Sequence, residues 1–343
     1  MDQKPIEAVL VGCGGISGAW LTALKGIDAV RLTGLVDVRE AAARARAEDF
    51  GLVDAVVSDD LGATLARLHP DAVFDCTIPE AHHDVTLTAL AHGCHVLGEK
   101  PLADTMEHAR EMVAAAQAAD RIYAVIQNRR YMPDIRRLRD FLASGAIGRV
   151  TTVNSDFYIG AHFGGFRDRM RHVLLLDMAI HTFDMARFIM GADAHSVYCH
   201  EWNPPGSWYD HDASAVAIFE MSGDMLYCYR GSWCSEGLNS SWEAGWRIVG
   251  EKGSVIWDGG HGFQAQVVAK SGGFFSDWSG VEVPVGDPAG KVGGHAGVIS
   301  EFVRCVQTGT VPETVASDNI KSLAMVFGAI ESAESRSRVL IGE

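Results

Sequence analysis

The segment Val9-Leu10-Val11-Gly12-Cys13-Gly14-Gly15-Ile16-Ser17-Gly18 constrains the fold more than any other stretch of the chain. An apolar β-rich run, Ile6–Val11, stops at a glycine and passes directly into Ile16–Lys25, whose length and small residues suit a helix. In a G-x-G-x-x-S turn of this kind the first glycine permits the tight reversal and the second lets a pyrophosphate approach the backbone. The helix N-terminus then supplies amide donors and its dipole. Ser17 stands where Gly or Ala is usual and is small enough for close helix packing. The next strand candidate, Arg31–Val36, ends at Asp37, 25 residues after Gly12, where a carboxylate can accept hydrogen bonds from the adenosine ribose hydroxyls. Gly12, Gly14, Gly15, Ile16 and Asp37 are therefore expected to hold a dinucleotide. Asp37 would repel a 2′-phosphate, which favours NAD; Arg39 can swing to that phosphate, which keeps NADP as the alternative.

The rhythm around this loop agrees with it. Strand candidates at Ala72–Cys76, His95–Gly98 and Ile122–Ile126 alternate with helical stretches at Glu40–Phe50, Leu61–Leu68, His82–His92 and Thr105–Ala119. Several of the strands are apolar without alternation, as strands covered by helices on both faces require. A doubly wound parallel sheet follows for residues 1–127. After Asn128 the pattern changes to helices at Asp134–Ala143 and Val173–Met190, followed by long strands joined by Gly-rich turns between Val197 and Val268. These strands predict a meander in one open, mainly antiparallel sheet, so 128–343 is expected to be an α/β domain. Helical periodicity returns at Val298–Val306 and Ile320–Ser332, the last helix being a candidate to pack back on the first domain.

The 343 residues suit two such domains. With 29 Lys+Arg against 44 Asp+Glu the net charge is −15, and no dense basic run offsets it, so neither nucleic acid nor an anionic membrane is an expected partner. The longest charge-free stretch, Ala8 to Leu24, is 17 residues, contains four glycines and follows Asp2 and Glu7, which suits neither a membrane span nor a secretion signal. Seven cysteines without a C-x-x-C pair read as reduced thiols of a cytoplasmic protein.

Two further motifs carry chemistry. Gly98-Glu99-Lys100-Pro101 follows a strand whose C-terminal end should face the ligand crevice, where a lysine in a Pro-restricted turn can stabilise developing alkoxide charge. Leu176-Asp177-Met178-Ala179-Ile180-His181-Thr182-Phe183-Asp184 spaces Asp177, His181 and Asp184 at i, i+4 and i+7, predicting one helical face. A neutral imidazole there can take a hydroxyl proton while a carboxylate one turn away orients the ring or the substrate. The same spacing also fits a metal site, but hydride chemistry with an external cofactor needs none, and no metal is expected.

Together the glycine loop, Thr77-Ile78-Pro79 through His82 to Gly98-Glu99-Lys100-Pro101, Asn128-Arg129-Arg130-Tyr131-Met132-Pro133 with Gly145-Ala146-Ile147-Gly148, and Asp177-Met178-Ala179-Ile180-His181 resemble the Gfo/Idh/MocA oxidoreductases. This is the glucose–fructose oxidoreductase and inositol dehydrogenase superfamily, and order and spacing match along essentially the whole chain. The resemblance implies a Rossmann domain, a second domain whose open sheet forms homodimers or homotetramers, and NAD(P)-dependent oxidation of a sugar, sugar derivative or cyclitol at a secondary alcohol. It implies that Lys100 contacts substrate hydroxyl and cofactor, that Asp177 binds substrate, and that His181 is the acid/base. It also places Thr77, Pro79, His82 and Glu99 beside the cofactor, with His82 and His83 in tandem both meeting the spacing.

Leu174-Leu175 replaces the Gly-Gly common in the family, which alters the entry to the histidine helix. The preceding loop, 158–172, is dense in Arg, His and aromatic residues of the kind that cover a polyhydroxylated ring. Tyr158, His162 and Arg167 of this loop, with Arg130 of the 128–133 segment, are further substrate-binding candidates, and Trp208-Tyr209-Asp210-His211 is a candidate second wall. Two other readings of the same chain are an NAD-assisted glycoside-cleaving enzyme and a non-catalytic dinucleotide sensor.

Overall fold

In the computed structural model, which describes residues 4–260, 262–286, 291 and 293–342, the chain divides into two units. The first comprises residues 1–131 and 290–320, the second 132–289 and 321–343.

The first unit begins with β1 (Ile6–Val11), α1 (Ser17–Leu24), β2 (Val30–Val36), α2 (Glu40–Phe50), β3 (Val56–Ser58), α3 (Leu61–Leu68), β4 (Ala72–Asp75), α4 (Pro79–Ala91), β5 (His95–Gly98), α5 (Met106–Ala118) and β6 (Tyr123–Val125). The described strands form a parallel sheet in the order β3-β2-β1-β4-β5-β6. The order reverses between β1 and β4, so the two chain ends that leave those strands, at Gly12 and at Cys76, flank the crevice where such sheets bind ligands. Helix starts follow local chemistry: Asp60 caps α3 through the Ala63 amide, Thr105 caps α5 through the His108 amide, and Pro79 opens α4.

The second unit contains α6 (Pro133–Ala143), β7 (Val150–Tyr158), a π-helical stretch (Leu174–Ala179), α7 (Ile180–Met190), β8 (Ala194–Trp202), β9 (Ser214–Met221), β10 (Met225–Ser232), β11 (Gly245–Gly250), β12 (Gly253–Trp257), β13 (Phe263–Lys270) and β14 (Asp277–Val281). The described sheet runs β14-β13-β12-β11-β7-β10-β9-β8, ending on a short strand, Val339–Leu340. It is not the simple meander the sequence predicts: β7 inserts between β11 and β10 and pairs parallel with β10, so the sheet is mixed. Alternating burial along β8 and β9 puts one face against helices, with Phe183 of α7 packing edge-on to Phe219 and Tyr229 at 4.9 and 5.2 Å. The other face leaves Tyr198, Ile218 and Leu226 exposed.

Residues 290–320 return to the first unit, whereas the sequence reading places 128–343 in the second domain with only the last helix, 320–332, a candidate to pack back. Their main element, α8 (His295–Thr308), buries Phe302 against Phe74 of β4, which in turn meets Trp20 of α1. Each fully buried aromatic side chain of this kind stabilises by roughly 2 kcal/mol relative to exposure. Tyr131 donates to the buried carboxylate of Glu301 in the same helix, which also lies 2.8 Å from Lys291 Nζ. The last helix, α9 (Ala316–Ser335), is longer than the predicted 320–332, and from Lys321 onward it clusters with the second unit. No helix among the described residues is long and apolar enough to cross a membrane.

Candidate active site

The glycine loop leaves β1 with Gly12 at φ +84°, and a Cβ there would lie 2.7 Å from the carbonyl carbon of Cys76, so only glycine fits against the β4 exit. Gly14 and Gly15 are different: an added Cβ would meet nothing within 4 Å. Their bare backbone therefore keeps a clear surface at the start of α1, the form a pyrophosphate cradle requires. Ser17 Oγ and Arg46 Nη2 both donate to the Gly14 carbonyl, at 2.6 and 2.9 Å, and hold the loop from α1 and α2. Asp37 is buried, and its two oxygens accept from the amides of Cys13 (2.8 Å) and Arg39 (2.9 Å), which leaves further lone pairs for ribose hydroxyls. Burial and the Asp37 charge push the Cys13 thiol up to about 12, so it stays protonated beside the loop. The Arg39 side chain is three-quarters exposed, with Nε 3.8 Å from Asp37. These residues fit a dinucleotide with free ribose hydroxyls.

Beyond β5 comes the lysine turn, where the Lys100–Pro101 peptide is cis. Glu99 is buried behind it; its Oε1 accepts from the Trp20 indole at 2.6 Å and its Oε2 from the Lys100 amide at 3.1 Å. The tandem histidines separate cleanly. His82 lies on the buried face of α4 and sets Nδ1 3.0 Å from the Pro101 carbonyl and Nε2 3.2 Å from the Thr77 carbonyl, linking the turn after β4 to the lysine turn. His83 faces outward, where it meets Glu111 at 2.8 Å and stacks on His108. Thr77 is fixed in its turn because Asp75 accepts from both its amide (2.9 Å) and its hydroxyl (2.5 Å). Burial raises the Asp75 carboxyl, and the nearby His82 works against that rise. Pro79 opens α4 on the same turn. His82 and Glu99 thus contact the turn that carries Lys100, and Thr77 joins His82 from the turn after β4.

Arg130, a substrate candidate from the sequence, is engaged elsewhere. It is buried and reaches the Glu313 carbonyl at 3.1 Å and the Asp318 carboxylate at 3.0 Å.

In the second unit, the stretch predicted as one helix from Val173 is a π-helix over Leu174–Ala179 that becomes α-helical at Ile180. The wider π turn changes which residues share a face. From 173 to 189 every residue is buried except Leu176, Asp177 and His181. Asp184, predicted to join them, is fully buried and accepts from Ser322 Oγ of α9 at 2.7 Å, so its role is structural. Leu174 and Leu175 are fully buried and anchor the π turn in the core. Asp177 receives a forked pair from Arg167, with Nε to Oδ2 at 2.7 Å and Nη2 to Oδ1 at 3.3 Å. The guanidinium of Arg167 also lies over the rings of Phe163 and Phe166, 5.0 and 4.8 Å from their centroids.

The two predicted walls meet. His162 stacks on Trp208 at 3.7 Å and contacts Glu236 at 2.8 Å, while Trp208 and Tyr209 both donate to the Ala161 carbonyl. Gly165, Phe166, Asp168, Arg169, Trp208 and Asp210 line an open crevice of about 920 Å³ including the solvent at its mouth. Tyr158, at the end of β7, is half-buried, and burial raises its phenol. Trp20, Arg46 and Asp75 were not singled out from the sequence; Trp20 is its one aromatic within the charge-free stretch 8–24. Among the described residues no group of three or more His, Cys, Asp or Glu side chains is arranged to hold a metal.

Residues 6–127 match the family model described as an oxidoreductase family with an NAD-binding Rossmann fold, and 135–256 match its Gfo/Idh/MocA C-terminal domain. The chain belongs to the Gfo/Idh/MocA oxidoreductases. Its first unit carries the NAD-binding Rossmann domain of that family. It is similar to the D-glucoside 3-dehydrogenase of Escherichia coli, at 31% identity over 60% of each chain. It is also similar to the inositol 2-dehydrogenase of Rhizobium meliloti, at 24% identity over 97% of this chain and 98% of that one. In fold it resembles an oxidoreductase from Agrobacterium radiobacter solved with NAD+, L-tartaric acid and magnesium, with a TM-score of 0.85, 21% identity and 99% of both chains covered.

Proposed function

We propose that this protein is an NAD-dependent dehydrogenase that oxidises a secondary alcohol of a sugar, sugar derivative or cyclitol, or reduces the matching ketone. The observation that carries the reading is the burial pattern of 173–189, where Asp177 and His181, with Leu176, are only partly buried on an otherwise buried segment. A carboxylate and an imidazole left partly buried in this way suit proton transfer to or from a bound hydroxyl. Kinship to an inositol and a glucoside dehydrogenase supports the substrate class.

Gly12, Gly14, Gly15 and Ile16 would hold the pyrophosphate, and Asp37 the adenosine ribose. NAD, when bound, supplies the hydride acceptor. In the oxidative direction His181 takes the proton of the hydroxyl, and Asp177, oriented by Arg167, accepts a hydrogen bond from the substrate. The Lys100 ammonium, in the lysine turn of the first unit, is suited to stabilise negative charge that develops on a hydroxyl oxygen. In reduction His181 returns the proton. Phe163, Phe166 and Trp208 offer apolar faces to the C–H patches of a ring, with His162 and Arg167 at its hydroxyls.

Asp37→Ala is expected to weaken NAD binding about 10- to 100-fold, the size of a lost hydrogen bond to a charged acceptor, and NADP binding less. Titration of both dinucleotides checks this. An unchanged NAD:NADP ratio would remove Asp37 from the ribose site.

We further place a homodimer or homotetramer contact on the open face of the second sheet, supported by the exposed Tyr198, Ile218 and Leu226. Seven cysteines without a disulfide support a cytoplasmic setting.

A further inference from the structure

We propose that His295 is a positioning residue for the Lys100 turn, acting through the buried carboxylate of Glu99, and that protonation of His295 loosens that turn. All the groups concerned belong to the first unit.

His295 opens α8 behind two glycines at positive φ, Gly293 and Gly294. Its Nε2 lies 4.0 Å from Glu99 Oε1, while Asn128 Nδ2 sits 3.2 Å from its Nδ1 and donates to it. That hydrogen bond leaves the proton of the neutral ring on Nε2, on the side of Glu99. The imidazole also meets the Trp20 indole edge-on, with ring centroids 6.4 Å apart. Glu99 Oε1 already accepts the Trp20 N–H at 2.6 Å, and Oε2 accepts the Lys100 amide at 3.1 Å. The three contacts converge on one rigid carboxylate, so a change at Oε1 is felt at Oε2.

The charged groups that face His295 are Glu99, which favours its cationic form, and Arg129, which opposes it. Burial is the largest influence, and the net direction is down from the ordinary histidine value. The ring is therefore neutral at neutral pH and protonates only as the pH falls. Once charged, it competes with the indole for Oε1 at short range. Rotation of the carboxylate toward it draws Oε2 off the Lys100 amide. The turn that holds the ammonium is thus braced while His295 is neutral and released when it is charged. The effect on turnover rests on the role given to Lys100 above, whereas the effect on Trp20 does not.

The test titrates the tryptophan emission of the full-length wild type, Trp20→Phe and His295→Gln from about pH 5 to about pH 8, the range in which histidines change charge. The Trp20-dependent part of the signal should follow one titration with a midpoint below about 6.5 and vanish in His295→Gln. In Glu99→Gln the midpoint should fall further, because the carboxylate favouring the charged ring is gone. On turnover, the ratio of kcat at about pH 8 to kcat at about pH 5.5 should drop about fivefold in His295→Gln, as the ionising group is removed. A Trp20 signal that titrates alike in wild type and His295→Gln would overturn the proposal, whereas superimposable pH profiles of kcat beside the expected Trp20 titration would overturn the role given to Lys100. If His295→Gln does not fold, an unmoved midpoint in Glu99→Gln overturns it instead. If no alcohol is turned over, the emission titration still decides this inference, separately from the proposed reaction.

Discussion

Lys100→Met should lower turnover at least about 100-fold while dinucleotide affinity stays within a few fold, the effect of removing a donor that acts where charge develops. Methionine keeps the apolar stem and removes only the ammonium. The brace around the turn is made of main-chain contacts: the Lys100 amide on Glu99, and the Pro101 carbonyl on His82. Those contacts survive the substitution, so the backbone is held as before. The glycine loop and Asp37, proposed to hold the dinucleotide, are themselves fixed by Ser17, Arg46 and the Cys13 and Arg39 amides. Steady-state kinetics together with a dinucleotide titration on the same preparation separate the two quantities. Retained turnover would show that the ammonium does not reach the reacting oxygen. Arginine should not rescue the variant, because its planar fork does not replace a compact point charge.

The second large effect is expected at His181. His181→Gln should reduce kcat about 10²- to 10⁴-fold, the usual contribution of a positioned base. In the oxidative direction the residual rate should keep rising with pH, as hydroxide replaces the missing base, whereas the wild-type rate levels off once its imidazole is neutral. A variant with the wild-type pH profile would remove His181 from the proton path. Folding is not expected to suffer. His181 is only partly buried, and the packing of α7 is carried by fully buried neighbours such as Phe183.

Much of this site can be read from the chain because its signals are local. The Gly12–Gly18 turn, Asp37 at a strand end and Lys100 in a Pro-restricted turn each sit where a strand stops, and a strand stop is visible in composition. What stayed hidden depends on contacts distant in sequence. The π turn at Leu174–Ala179 has the same apolar composition as an α-helix, so nothing local separates Asp184 from Asp177 and His181. Its burial is decided by Ser322, 138 residues away. The insertion of β7 between β10 and β11 is likewise a choice of pairing that strand composition does not encode. Of the two tandem histidines, His82 is the one turned inward by α4, and that is settled by where the Pro101 and Thr77 carbonyls lie. Arg130 carries the charge of a ligand-binding residue, yet Asp318 and the Glu313 carbonyl occupy it. The return of 290–320 to the first unit is marked only by the apolar face of α8, which would suit either core.

The reaction proposed for this chain is hydride transfer between a nicotinamide and a secondary alcohol. It is tested most directly by incubating the pure protein with NAD or NADP and a panel of cyclitols, aldoses and keto-sugars, while following the reduced-nicotinamide absorbance. Absorbance should grow with at least one polyol, faster with NAD than with NADP, and only with added dinucleotide. Absence of both dinucleotide binding and absorbance change across the panel would contradict it, as would net sugar cleavage without added cofactor.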